Sequence, residues 1–387
     1  MPHSLSRRGF LSSAAAGLAA LAIAPSARAQ AATRSSPKPP VADESSVTAP
    51  VRIEVNARPI PVFDPRHHGQ LRFGALEYRS GLVLTSRFPG FGGLSALRLD
   101  AKGERFIAVS DKGSWFTGLI RYQGREMTGL AEVEAAPLLG ADGRPITTRG
   151  WYDSEAIALD GSIAYVALER VNQVLRYDLA KGFTRARGEV VPLPPAARRL
   201  PNNKGIEALV VVPKGLPLAG TLIALSERGL DEEGNLIAFL VAGPSPGQFS
   251  VRRTESYDIS DAVVLPVGDL LVLERKFSWF AGVGIRIRRI ALTSIAPGAL
   301  VDGPVIFEAD LGHEIDNMEG IDAHVTDAGE TVLTLISDDN FSPIQRTLLL
   351  QFTLVGDVVP PVETIGAHDP SHERAPFPLV GNPGGPH

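Results

Sequence analysis

Acidic residues recur along this chain at a regular spacing, each near the start of an apolar strand. Five copies of this sequence pattern can be counted. The opening residues of successive copies are 60, 52, 54 and 58 positions apart. The opening residues are Ser95, Glu155, Glu207, Asp261 and Glu319. Carboxylate oxygens are the ligands that hard cations such as Ca²⁺ prefer. Four such carboxylates, brought together by the fold, would form a calcium site.

A second charged position follows in each copy, where the next strand ends. It holds an acidic residue, which a basic residue follows in four of the five copies. The pairs are Asp111-Lys112, Glu169-Arg170, Glu227-Arg228, Glu274-Arg275 and Asp338-Asp339. Neighbouring residues on a strand face opposite sides, so only one member of each pair can face a shared site.

The two orientations of these pairs predict different chemistry. The basic members would form a cationic lining suited to a phosphate or carboxylate group, and they are Lys112, Arg170, Arg228 and Arg275. The acidic members would instead enlarge the cation site, with Asp338 as a further ligand. One of Asp111, Glu169 or Glu227 would then act as a general base.

A structural alternative accounts for the same charges without chemistry. Repeated Glu and Arg residues can form salt bridges between neighbouring repeats, and the opening carboxylates can accept hydrogen bonds from backbone amides of the next repeat. The last repeat carries three further polar residues, Asp316, Asp322 and His324. They would either extend a site or be solvated.

The elements that must position these residues are short strands. Runs such as residues 105–110, 164–169 and 269–274 are apolar and bounded by Gly, Asp or Pro, which is typical of strands. Three or four strands in a repeat of about 56 residues are typical of a propeller blade. The sequence predicts an all-β fold, a β-propeller of five or six blades over residues 51–355, closed by N-terminal strands. The opening residues should then converge on its central channel.

The two ends of the chain have other compositions. Residues 1–29 resemble a twin-arginine signal peptide, since Arg7-Arg8 precede an apolar stretch that ends in a small-x-small cleavage site. Residues 30–50 are rich in Ala, Ser and Pro and predict a disordered linker. Residues 356–387 predict a Pro/Gly-rich tail. We therefore expect a bacterial protein that is periplasmic or secreted, whose precursor engages the twin-arginine export machinery.

Charge and cysteine content exclude several classes of partner and site. The net charge of −5 becomes −8 once Arg7, Arg8 and Arg28 are removed with the signal. A mildly acidic protein has no basic field for nucleic acid or for an anionic membrane. The chain has no cysteine, which excludes disulfides and thiolate zinc sites. A small anionic ester or phosphate is the partner we expect.

Four segments resemble the phytase-like propeller family, which is described as having esterase-like activity. They are residues 91–96 with 108–113, residues 153–157, residues 203–208 and residues 317–321. The resemblance covers roughly residues 70–355. It implies a propeller and a hydrolase, with calcium-dependent phosphoesterase activity as one form. Ser95 departs from the pattern, because it stands where the other copies have an acid.

These observations predict an exported metal-dependent hydrolase. Calcium held by the opening carboxylates would support cleavage of phosphate or carboxylic esters at the mouth of the channel. A lactonase-type enzyme would use similar parts. The alternative from another class is a non-catalytic periplasmic propeller that binds a ligand or a protein partner.

Overall fold

Strands make up nearly all of the regular structure. The computed structural model describes residues 46–201, 203–278 and 282–358, and for residues 357 and 358 it describes the backbone only. Over these ranges it has 25 strands and five single-turn 3₁₀ helices, and no α-helix. No helix in these ranges is long and apolar enough to cross a membrane. The predicted signal peptide, most of the predicted linker and nearly all of the predicted tail lie outside the described residues.

Four strands precede the first repeat. They are β1 (Val51–Arg52), β2 (Asn56–Ile60), β3 (Arg72–Phe73) and β4 (Leu76–Thr85). The predicted start of the propeller at residue 51 therefore coincides with the first strand. Val47, inside the predicted linker, is buried in the apolar cluster that blades 5 and 1 share.

Each repeat then forms one blade of mainly antiparallel strands. Blade 1 contains β5 (Leu94–Leu99), β6 (Arg105–Ser110), β7 (Ser114–Gln123) and β8 (Glu126–Pro137), with β1 on its outer edge. Blade 2 contains β10 (Ser154–Asp160), β11 (Ile163–Leu168), β12 (Gln173–Asp178) and β13 (Arg187–Val191), with β9 (Leu139–Gly140) on its outer edge.

The remaining blades follow the same order from the inside outwards. Blade 3 contains β14 (Ile206–Val211), β15 (Leu222–Leu230), β16 (Leu236–Leu240) and β17 (Gly247–Val251), with β21 (Leu300–Val301) on its outer edge. Blade 4 contains β18 (Asp258–Val264), β19 (Asp269–Ser278), β20 (Gly282–Ala291) and β22 (Val305–Asp310). Blade 5 begins with β23 (Asn317–Val325), β24 (Glu330–Asp338) and β25 (Thr347–Val358).

The N-terminal strands complete the fifth blade. Strand β4 pairs antiparallel with β25, placing Gly81 opposite Leu350, and β2 pairs with the outer side of β4. The propeller therefore has five blades, and the predicted closure by N-terminal strands is confirmed. Pairing the two ends of the chain in one sheet removes an exposed edge.

The innermost strands form a ring around the channel. Strands β5, β10, β14, β18 and β23 each contact the innermost strands of the two adjacent blades. They are almost wholly buried, because a blade is covered by a neighbour on each face. The core lies between blades; for example, Ile223 of blade 3 and Val272 of blade 4 belong to one apolar cluster.

The 3₁₀ helices connect strands. They are Ile146–Arg149, Glu169–Val171, Phe183–Arg185, Ala197–Arg199 and Leu292–Ser294. The one that matters for the site is Glu169–Val171, since it directly follows β11 and begins with a candidate functional residue.

Candidate functional site

A β-bulge opens the innermost strand of every blade. In blade 2, Ser154 pairs with Leu168 and Ala156 pairs with Ala167, so Glu155 between them has no partner. The register skips one residue at the same place in the other four blades. A bulge re-aims the extra side chain. The five bulge residues are Ser95, Glu155, Glu207, Ser260 and Glu319.

In blade 4 the residue at the opening position is not the predicted one. Its bulge residue is Ser260, whereas Asp261 pairs with Leu273 in the regular ladder. The carboxylate of Asp261 is fully buried and accepts hydrogen bonds from Arg98 and from the backbone amide of Ile321 in the next blade. Asp261 therefore does not converge with the other opening acids. Its contact with an amide of the next blade is the structural alternative that the sequence left open.

The closing position shifts by one residue in the same blade. Ile259 pairs with Glu274 and Asp258 pairs with Arg275, so the residue that faces the channel mouth in blade 4 is Arg275. Glu274 is fully buried and accepts hydrogen bonds from Arg286 and Arg288 of β20. The closing positions that face the mouth are Asp111, Glu169, Glu227, Arg275 and Asp338.

These two sets of side chains line a cavity of about 690 Å³. Among its described lining residues are ten carboxylates and three basic groups, a formal charge of −7. The acids are Asp111, Asp153, Glu155, Glu169, Glu207, Glu227, Asp258, Asp316, Glu319 and Asp338. Such a concentration of like charge is costly without a counter-ion.

Five of the lining acids form two overlapping clusters. Carboxylate oxygens of Asp153, Glu155 and Glu169 lie within 4.8 Å of one another, and so do those of Glu169, Glu207 and Glu227. Glu169 belongs to both clusters, and its Oε1 also accepts a hydrogen bond of 2.7 Å from the amide of Gly205. This arrangement can offer all-oxygen coordination to one or two hard cations.

Asp153 was missed by the sequence argument. It lies two residues before the bulge and has a φ of 66°, in the left-handed region that few non-glycine residues adopt. Blade 1 has Gly93, with a φ of +59°, at the same place. The available signal was an acidic residue where the first repeat has glycine. Strained residues of this kind concentrate at functional sites.

Burial is the main cause of the pKa shifts in the cavity. It raises the pKa of Glu319 to about 8 and the pKa of Asp111 and of Glu169 to about 7. Burial, reinforced by neighbouring carboxylates, also raises the pKa of Glu155 and Glu207 well above the usual range for Glu. Several of these acids can therefore be neutral near pH 7 when no cation is bound.

Arg275 provides the only basic side chain in the two sets that face the mouth within the described chain. It forms an ion pair with Glu319, donates a hydrogen bond of 2.5 Å to Asn317 Oδ1 and lies 3.6 Å from Glu227 Oε1. Burial opposes its charge, but Glu319, Glu207 and Glu227 outweigh burial and raise the pKa of Arg275. Arg275 thus joins blade 4 to blades 3 and 5, as predicted for structural salt bridges.

The basic residues predicted to bind substrate occupy different positions. Arg228 and Arg275 line the cavity, whereas Lys112 and Arg170 are not among the residues that line it. Lys112 lies over the ring of Phe341 and Arg170 over the ring of Tyr152. In blades 1 and 2 the acidic member of each pair faces the mouth, although Asp111-Lys112 lie in the turn after β6 and Glu169-Arg170 begin a 3₁₀ helix. In blade 3 both Glu227 and Arg228 line the cavity, so the prediction that only one member of a pair faces the site is wrong there.

Of the three polar residues singled out in the last repeat, only Asp316 lies at the cavity. Asp316 lines the cavity, where it accepts hydrogen bonds from the backbone amides of Asn317 and Arg346. Asp322 is buried further along β23 and accepts a hydrogen bond from the amide of Leu99. His324 does not line the cavity. Other lining residues that the sequence argument missed include Asn203, Asp258, Asn317 and Asn340.

Two buried oxygens in the cavity have no hydrogen-bond partner in the described part of the chain. They are Oε2 of Glu319, a residue only 5% exposed, and Oδ1 of Asp111. An unpaired buried carboxylate oxygen costs free energy that a ligand can recover. These oxygens and the two clusters fit a hard cation, and the absence of cysteine disfavours a softer one.

The sequence model of the Phytase-like family, described as esterase-like activity of phytase, matches residues 89–341. The chain belongs to this family. The match spans all five bulges of the Phytase-like propeller. It also spans both carboxylate clusters.

Solved structures resemble this Phytase-like chain only distantly. The glutaminyl cyclase of Myxococcus xanthus is 11% identical, with 80% of this chain and 100% of that one covered and a TM-score of 0.35. The PQQ-bound aldose sugar dehydrogenase of Streptomyces coelicolor is 12% identical, with 67% and 96% covered and a TM-score of 0.33. The Cps50 (Swd1) β-propeller domain of Myceliophteria thermophila is 12% identical, with 66% and 71% covered and a TM-score of 0.30. No curated protein matches the chain.

Proposed function

We propose that this Phytase-like propeller is a metal-dependent hydrolase that cleaves phosphate or carboxylic esters in its acidic cavity. The observation that carries the proposal is the pair of three-carboxylate clusters that share Glu169. The unpartnered buried oxygen of Glu319 independently supports a missing ligand. Calcium is the cation we propose, because it accepts six to eight oxygen ligands in flexible geometry.

The residues divide into cation ligands and a base. The proposed ligands are Asp153, Glu155, Glu169, Glu207 and Glu227. Glu319 and Asp338 line the same cavity and are proposed as further ligands. A bound divalent cation would hold the substrate oxygen and lower the pKa of a bound water. This function makes sense of an otherwise unfavourable concentration of carboxylates.

Asp111 is the proposed general base among the three candidates. Glu169 and Glu227 belong to the carboxylate clusters, whereas Oδ1 of Asp111 has no partner in the described chain. The base removes a proton from water, whose oxygen bonds to the acyl carbon or phosphorus. The bond to the alcohol oxygen breaks, and the alcohol leaves with a proton. A base whose pKa lies near 7 suits this step.

The test combines binding with turnover. Thermal melts and calorimetry with calcium, magnesium and EDTA come first, followed by a screen of carboxylic esters, phosphate esters and lactones. We expect calcium to raise the melting temperature, EDTA to reverse this, and at least one ester class to be hydrolysed. A melting temperature indifferent to all three additions, with no turnover, would instead favour a non-catalytic binding propeller.

Export is a separate part of the proposal. Arg7-Arg8, the apolar stretch and the small-x-small site support twin-arginine transport to the periplasm or the medium. We expect Arg7→Lys with Arg8→Lys to retain the precursor in the cytoplasm of a bacterial host. Unchanged processing and export of this variant in fractionated cells would contradict the proposed route.

A further inference from the structure

We propose that the substrate is an uncharged carboxylic ester with an apolar arm, and that Ile344 and Phe277 determine this preference. The inference rests on the proposed hydrolase function and narrows its substrate class. Three observations carry it: the charge of the cavity, the contacts of its basic groups and the apolar side chains on its rim.

The charge of the cavity disfavours a polyanionic substrate. With all lining groups ionised the formal charge is −7, so two divalent cations would still leave −3. A phosphate monoester brings up to two further negative charges, and a polyphosphorylated ring brings many more. Like charges in a partly buried cavity repel strongly, since the effective dielectric there is below that of water. A neutral ester avoids this repulsion.

The three basic lining groups already contact carboxylates. Arg228 donates a hydrogen bond of 2.7 Å to Asp258 Oδ2, and Arg275 forms its ion pair with Glu319. Lys276 Nζ lies 3.7 Å from Glu255 Oε2. Each basic lining group is therefore already paired with a carboxylate, which reduces the attraction that it can offer to a phosphate group.

Two exposed apolar side chains line the cavity. Ile344 is 89% exposed and Phe277 is 67% exposed, and both line the cavity. They are the two most exposed large hydrophobic residues in the described chain. Phe277 pairs across the β19–β20 hairpin with Val283, which also lines the cavity. Single exposed hydrophobic residues need no explanation. Here, however, the two most exposed ones line the same cavity.

Hydrogen bonds to Asp339 anchor the start of the loop that carries Ile344. Asn340 and Phe341 have φ angles of 49° and 50°, a left-handed conformation that is unfavourable for Phe. Oδ1 of Asp339 accepts hydrogen bonds from the amides of Phe341 and Gly93, at 3.0 and 2.9 Å. Strain that a loop retains against such anchors commonly serves function. Ile344 is thus carried at the cavity by an anchored loop, where the acyl arm of an ester would cover it.

The experiment compares substrates that differ only in their apolar arm. The calcium-loaded full chain is assayed with p-nitrophenyl acetate, butyrate and octanoate, with p-nitrophenyl phosphate and with inositol hexakisphosphate. We expect kcat/KM to rise about twofold per added methylene, because an open rim buries only part of each group. Both phosphate compounds should be hydrolysed at least about tenfold less efficiently than the octanoate.

Variants of the rim identify the residues responsible. Ile344→Ser and Phe277→Ser should each lower kcat/KM for the octanoate about fivefold, and should lower it less for the acetate, whose acyl arm is shorter. Val267→Ser is the matched control, since Val267 is 49% exposed in the turn between β18 and β19 and does not line the cavity. Calorimetric binding of octanoyl anilide should weaken in the two rim variants only.

The outcomes separate this inference from the proposed function. Preferential hydrolysis of either phosphate compound, or equal loss of acetate and octanoate turnover in the rim variants, would overturn the inference alone. Binding of the anilide without turnover of any ester would overturn the hydrolase function and support the apolar subsite. Neither binding nor turnover would overturn both.

Discussion

Arg98, on the innermost strand of blade 1, and Asp261, on that of blade 4, form a buried ion pair with two hydrogen bonds. Nη1 lies 2.8 Å from Oδ2 and Nη2 lies 2.9 Å from Oδ1. The guanidinium also donates to the carbonyls of Leu209 and Ile321. One side chain therefore connects the innermost strands of four blades.

Removing one member of this pair should be strongly destabilising. Arg98→Met leaves the buried carboxylate of Asp261 without its counter-charge, which costs about 3–5 kcal/mol for buried pairs. Urea denaturation gives the free energy of unfolding. Arg98→Met combined with Asp261→Leu should recover part of the loss. Equal stability of Arg98→Met and the parent protein would show that the pair does not hold the blades together.

The stability of the metal-free protein should fall as pH rises from about 5 to 8. Glu319, Asp111 and Glu169 have raised pKa values of about 8, 7 and 7, so the folded state binds more protons than the unfolded state over this window. Each such group lowers the free energy of unfolding by up to about 1.4 kcal/mol per pH unit. Urea midpoints measured with EDTA at several pH values test this.

Saturating calcium should flatten that pH dependence, because a bound cation stabilises the ionised carboxylates. The result that contradicts the assignment is a metal-free protein whose urea midpoint rises between pH 5 and 8. Such a rise would mean that the cavity acids are stabilised as anions by the protein alone.

Glu207→Gln should have opposite effects on the stability of the metal-free protein and on its calcium affinity. The variant removes a buried carboxylate that Glu155 and Glu319 repel, so its melting temperature in EDTA at pH 8 should increase. Its calcium affinity should fall about tenfold or more, a typical loss when a metal site is disturbed. Glu189→Gln, at a side chain that is 73% exposed, is the control and should change neither quantity.

Asp153→Gly should stabilise the metal-free protein and weaken calcium binding. Glycine adopts a φ of 66° without strain, so about 1 kcal/mol is recovered while one proposed ligand is lost. Glu132→Gly is the comparison, because Glu132 has a φ of 52° and does not line the cavity. Unchanged calcium affinity in Asp153→Gly would remove Asp153 from the set of ligands.

Much of the architecture could be predicted from the chain because it follows from local patterns. The repeat of about 56 residues and the short apolar strands predicted a propeller, and the surplus strands before the first repeat predicted closure. The cavity acids Glu155, Glu207 and Glu319 could be found the same way, since each lies near the start of an apolar strand. Asp153 could not, because its significance depends on a left-handed backbone that only the folded turn reveals.

What the sequence determined by itself was that a propeller repeat recurs and which kinds of charge it carries, whereas it left the number of blades at five or six. Which charges meet was decided only by tertiary pairing, and blade 4 shows why. By residue type its repeat aligns with the others at Asp261 and Glu274, whereas in the fold Ser260 and Arg275 occupy those positions. Side chains alternate across a strand with a period of two, so a shift of one residue exchanges the faces. The bulge at Ser260 therefore buries Asp261 on Arg98 and turns Arg275, rather than an acid, towards the cavity.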